Sequence, residues 1–150
     1  MRSKIVEYLF SLALLFLFAA LEEMTPKVLG VGAPFLLAAV QYQAVRRQMP
    51  LAVAFAIAAG AAEDAVSSLP LFTSAVYFLA VAVLTRRMDI PRGAIFLSYP
   101  LYQIWLSVWV GDLYGSIFTR VPVALAVGAL VMFAVWHFLA FAERRAAVGE

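Results

Sequence analysis

Residues 51–87 read LAVAFAIAAGAAEDAVSSLPLFTSAVYFLAVAVLTRR. Two apolar runs flank a turn, Ser67-Ser68-Leu69-Pro70, and the second run closes on Arg86-Arg87. Within the first run Ala52, Ala56 and Gly60 recur at every fourth position, as do Ala54, Ala58 and Ala62. Four-residue spacing puts them on common helix faces, and small residues there let helix backbones approach closely in lipid. Spanning backbone in lipid must be helix or closed barrel. Barrel strands alternate apolar and polar residues, whereas these runs are continuous, so helices are favoured. The stretch predicts two short helices joined as a tight hairpin, with a re-entrant pair as the alternative. The alanine-rich helix is expected to be central, packed against several neighbours.

The rest of the chain has the same character. Of 150 residues 65% are hydrophobic and only 13% are charged, with a mean hydropathy of +0.95. A soluble domain carries about 25% charge. The composition excludes a water-soluble globule, a disordered tail and a nucleic-acid module, and leaves a small integral membrane protein. The pI is 9.2, but the net charge is only +2, so the placement of the basic residues matters more than their sum. There is no cysteine, hence no disulfide, thiol nucleophile or thiolate metal site.

Six apolar segments are predicted, at about 5–21, 28–45, 51–66, 71–84, 93–110 and 121–141, forming one transmembrane domain over 1–150. The first has a basic start, Arg2 and Lys4, but ends Phe18-Ala19-Ala20 without the small-x-small spacing of a signal-peptidase site. It is therefore read as a retained helix. Arg2, Lys4, Arg46, Arg47, Arg86, Arg87, Arg92, Arg144 and Arg145 fall on one side of this arrangement. Only Lys27 and Arg120 fall on the other, with Glu22, Glu23, Glu63, Asp64 and Asp112. The positive-inside rule then places both termini in the cytoplasm. Trp105 and Trp109 lie toward the outer end of the fifth segment, as in an aromatic belt. Arg46-Arg47-Gln48-Met49-Pro50 resembles Arg86-Arg87-Met88-Asp89-Ile90-Pro91, and cytoplasmic arginines followed by a helix-starting proline account for this without a duplication.

Chemistry-bearing residues are few. Glu63 and Asp64 end the third segment. An interfacial turn with Asp64 capping the next helix is favoured over a proton relay or cation site, which would need them to face a cavity. Glu7 is expected to pair with Lys4 on one helix face and to snorkel toward water. Asp112 and Arg120 flank an outer loop and could pair with each other. His137, the only histidine, lacks the companions of a metal site and is read as an interhelical hydrogen-bond donor, as are Gln41 and Gln43. No phosphate loop, nucleophile–base pair or zinc-protease motif is present, so no catalysis and no cofactor are expected. Tyr102, Trp105 and Trp109 recur at helical spacing. They form either a partner-binding face or a lipid-facing aromatic anchor.

Gly60, Asp64, Ser67, Pro70 and Leu71, with Pro34 early in the second segment, resemble the motif of the MreD family, the small membrane subunit of the bacterial rod-shape complex. That family has a glycine closing its third helix, an aspartate four residues on, a serine- or glycine-containing turn and a proline- or leucine-bearing helix start. Length and number of spans agree over the whole chain. The sequence departs from the pattern at Thr73 and Ser74, where a glycine is usual, and at Phe35, where an acid is common. The resemblance implies a non-catalytic scaffold in the bacterial cytoplasmic membrane. Its partners would be an MreC-like protein, the synthase RodA with its penicillin-binding protein, the MreB filament and the lipid bilayer.

A second family is similar in outline. The substrate-binding subunits of energy-coupling-factor vitamin transporters also have six small helices with both termini inside, and MreD looks similar to them in fold. Their docking motif, Ala-x-x-x-Ala in the first helix, is not matched here, since Ala13 is followed by Leu17 and Ala19 by Glu23. Glu63, Asp64, Trp109 and Tyr114 could supply part of an outer pocket, but no cluster specifies a vitamin.

Overall fold

The structure, a computed structural model, describes residues 2–29, 33–88, 97–110 and 117–148. Among these the regular structure is entirely helical, in six helices: α1 Arg2–Leu29, α2 Phe35–Arg46, α3 Met49–Val66, α4 Thr73–Arg87, α5 Ser98–Val110 and α6 Ile117–Val148. Three helices are long and apolar enough to cross a membrane, over Lys4–Thr25, Met49–Val66 and Leu125–Arg145. At 1.5 Å per residue, α2, α4 and α5 reach only roughly 18, 22 and 20 Å, less than the ~30 Å hydrocarbon layer.

The surface is richer in large apolar side chains than that of a water-soluble protein. Leu9, Phe16, Leu101, Val108, Leu130 and Phe133 are exposed, while Gln41, Gln43, Glu63, Asp64 and Ser74 are buried. An apolar surface over a core that is apolar but holds several polar side chains suits a lipid surround, which rewards neither buried apolar area nor exposed charge.

Helix α3 packs against α1, α2 and α4, as the small-residue stripes predict, but the helix buried along almost its whole length is α2. Every residue from Leu36 to Ala44 is buried, and α2 contacts α1, α3, α4 and α6. A helix lined by protein all round has no need to match the bilayer thickness, which accounts for its 12 residues. It begins only after Pro34, whose carbonyl accepts from Ala38 N–H at 3.0 Å, rather than at Val28. Val28 instead belongs to α1, which runs past the acids expected to end it. Lys27 Nζ pairs with Glu23 at 2.7 Å, four residues apart, and Thr25 Oγ1 donates back to the Leu21 carbonyl at 2.5 Å.

Helix α3 buries one face, containing Ala52, Ala56, Ala59 and Gly60, whereas Ala54 is exposed and Ala58 and Ala62 are only half-buried. Helix α3 then turns into α4 as a tight hairpin. Ser68 takes the left-handed conformation at φ 53°. Leu69 N–H reaches back to the Asp64 carbonyl at 2.9 Å, the closing bond of a Schellman turn. Antiparallel α3 and α4 make the most extensive helix–helix contact in the bundle.

Candidate functional site

Charged groups gather at the two ends of the bundle, and Glu22, Asp64 and Arg86 each end a helix other than their own. Helix termini leave unpaired N–H groups at one end and unpaired carbonyls at the other. In lipid these must find partners within the protein.

At the first end the partners are carboxylates. Asp64, 1% exposed, accepts a hydrogen bond from Ser74 N–H at 2.8 Å, in the first turn of α4. Glu22, near the end of α1, accepts from Leu36 N–H at 2.8 Å, in the first turn of α2. Both set an acceptor oxygen against the unpaired N–H groups at the start of a helix. Glu63, 6% exposed, lies against Glu22 and accepts from the Ser67 hydroxyl at 2.9 Å. Among the described residues no group of His, Cys, Asp and Glu side chains is arranged to hold a metal ion.

At the opposite end the partners are arginines. Arg86 Nη1 donates to the Ala44 carbonyl at 3.3 Å and to the Arg47 carbonyl at 2.5 Å, closing the C-terminus of α2 from α4. Arg47, its side chain 16% exposed, pairs with Glu7 of α1 at 3.2 Å and Glu143 of α6 at 3.1 Å. Its guanidinium also lies 5.9 Å from the Phe10 ring. Glu7 therefore reaches across to another helix instead of pairing with Lys4. The contacts bring the start of α1 and the end of α6 to the same end of the molecule.

Between these ends, hydroxyls and amides link the helices. Gln41 Nε2 donates to Ser98 Oγ at 2.7 Å, and Gln43 Nε2 to Ser11 Oγ at 3.4 Å, joining α2 to α5 and α1. His137 does otherwise. Its Nδ1–H donates to the Phe133 carbonyl of its own helix at 2.9 Å, on the exposed side, so among the described residues it hydrogen bonds to no second helix.

The aromatic residues of α5 are divided. Tyr102 is buried and hydrogen bonds Ser74 Oγ. Trp105 Nε1–H donates to the Thr73 carbonyl at 3.0 Å. Both fasten α5 to the first turn of α4. Trp109, 57% exposed, meets Trp105 in a tilted contact with centroids 5.7 Å apart and alone of the three faces outward. Beside them α4 and α5 diverge around a groove of 440 Å³, walled by Val81, Leu84, Leu101, Ile104, Trp105 and Val108. The buried Gln41–Ser98 bond lies at the same groove.

The motif residues lie close together. Gly60 meets Ala75, Asp64 meets Ser74, Ser67 meets Glu63, and Pro70 accepts from Thr73 N–H at 3.2 Å. Leu71 is exposed, and Pro34 is buried at the start of α2. Arg92, Asp112 and Tyr114 lie outside the described residues, as does the side chain of Arg120. The sequence gives only a faint signal for Glu22 and Arg47. Each is a charge at the edge of an apolar segment, and its partner is remote in the chain. No family model, curated protein or solved structure matches the chain.

Proposed function

We propose that the chain is a non-catalytic scaffold subunit of the MreD kind, with six helices in the bacterial cytoplasmic membrane and both termini in the cytoplasm. The observation that carries this reading is the α3–α4 hairpin. Gly60, Asp64, Ser67 and Pro70 each perform a structural task within it: close approach, capping or turn closure. Buried Asp64 ends a helix, a structural task that suits a protein that positions others.

A scaffold with short loops offers partners mainly its membrane-facing surface. The α4–α5 groove, apolar along its walls, would receive the single transmembrane helix of an MreC-like protein. Trp109 at its rim would add an aromatic contact. Through that partner the chain would be tied to RodA, its penicillin-binding protein and MreB.

Affinity capture from membranes co-expressing an MreC-like protein tests this. The unmodified chain should recover the partner. A Leu101→Trp, Ile104→Trp variant, which fills the groove from exposed positions, should recover it several-fold less. Equal recovery by the variant would remove the groove from the reading. Failure of capture, with a vitamin-sized ligand retained in stoichiometric amount, would favour the substrate-binding subunit of an energy-coupling-factor transporter instead.

A further inference from the structure

A second cavity, of 660 Å³, opens between α2 and α6 at the arginine-rich end. Helix α6 contributes His137, Ala140, Phe141 and Arg144. These recur at the three- and four-residue spacing that places side chains on one helix face. Helix α2 contributes Val45 and Arg46. Two cations therefore line the cavity and no acid does. Among the described residues the acids of this end, Glu7 and Glu143, are taken by Arg47. Arg46 and Arg144 form no salt bridge among the described residues. Arg46 instead lies 6.0 Å over the Tyr42 ring. In the wall, Trp136 Nε1–H is buried without an acceptor among the described residues.

The cavity has a direction. Arg144 is two helical turns beyond His137, roughly 10 Å along the axis. Arg46 ends α2 and Arg144 lies toward the end of α6, while Val45, Ala140 and Phe141 supply apolar walls beside them. An occupant matching this gradient has an anionic head and an apolar body. We propose that the cavity binds an anionic phospholipid. Its phosphate lies between the Arg46 and Arg144 guanidiniums, and its glycerol and upper acyl region lie against Val45 and Phe141. Arginine matches phosphate oxygens with a planar fork of donors, and basic pockets between membrane helices at this depth suit lipid head groups. The site rests on the membrane reading but not on the scaffold reading, because its residues are separate from the α4–α5 groove.

Native mass spectrometry of the full chain released from nanodiscs tests the proposal. Phosphatidylglycerol should be retained in preference to phosphatidylcholine. An Arg46→Gln, Arg144→Gln variant should retain it on the order of tenfold less, given the few-fold contribution expected from each arginine. Arg87→Gln removes an exposed charge of the same end that does not line the cavity, and should leave retention unchanged. Circular dichroism of each variant establishes that it is folded. Equal retention by the double variant, an equal loss in Arg87→Gln, or no preference over phosphatidylcholine would each overturn the site. Displacement of the lipid by millimolar inorganic phosphate would show that a free anion suffices, and would overturn the assignment to lipid. Partner capture does not enter this measurement, so its failure leaves the result standing.

Discussion

Gly60 of α3 lies against the backbone of Ala75 in α4, so closely that a Cβ on Gly60 would overlap the Ala75 Cα and N. Backbone cannot move aside as a flexible side chain can. Gly60→Ala is expected to destabilise the protein by about 1–3 kcal/mol, the usual cost of overpacking, and Gly60→Val by more. Gly128 provides the contrast, since its added Cβ would meet only the Tyr99 side chain. Gly128→Ala should cost less. Thermal unfolding in one detergent ranks the three variants.

Asp64 should be replaceable by a neutral acceptor. Asp64→Ala strips Ser74 N–H of its partner in a buried setting, at a cost of about 1–3 kcal/mol. Asp64→Asn keeps an acceptor oxygen and should lose less than half as much, with partner capture unchanged. A proton relay through Asp64 would behave differently, because Asn cannot exchange the proton. The unfolding temperatures of the two variants, read beside capture, separate cap from relay.

Arg47 joins three helices through Glu7 and Glu143, so its loss should exceed the loss of either acid. Both acids are substantially exposed, Glu7 at 45% and Glu143 at 28%, and solvent screening keeps each pair small. A double-mutant cycle on Arg47→Gln and Glu143→Gln should give a coupling of roughly 0.5–1 kcal/mol. A coupling near zero would make the contact incidental.

The turn stores a local conformational cost. Ser68 has φ 53°, a region that non-glycine residues enter at a penalty. Ser68→Gly should raise stability by about 0.5–1 kcal/mol, net of glycine's added freedom when unfolded. Ser68→Val should lower it. Melting temperatures compared under one condition check both signs.

Legibility in the sequence varied with the range of the interaction. The turn at Ser67–Pro70 could be read because its determinants are local: two serines and a proline between apolar runs. Gln41 and Gln43 could be read as interhelical because amides in an apolar helix must find partners somewhere. The central place of α2 could not. Nothing local distinguishes an apolar helix enclosed by protein from one facing lipid, and alanine spacing directed attention to α3. The pairing of Glu7 failed for a related reason. Lys4 is its neighbour on the helix, but Arg47, 40 residues away, is its neighbour in space. Charge counting assigned these residues to one end and was silent on which would meet. Tyr102 and Trp105 had the spacing of an exposed face, yet both are spent on α4, because a two-helix contact and a lipid contact use the same residue types.

The enclosure of α2 has a consequence for how the protein is made. Twelve residues bearing two glutamines and a terminal arginine are a poor candidate for leaving the translocon alone, since stable partition asks for about 20 apolar residues. Its amide nitrogens donate to α1 and to α5, the latter synthesised well after it. Helix α2 must therefore wait at the insertion site, or shelter against α1, until later helices arrive. Chains truncated after residue 50 and released from the ribosome should leave a cysteine placed in α2 open to a water-soluble thiol reagent, and only chains that extend through α5 should protect it.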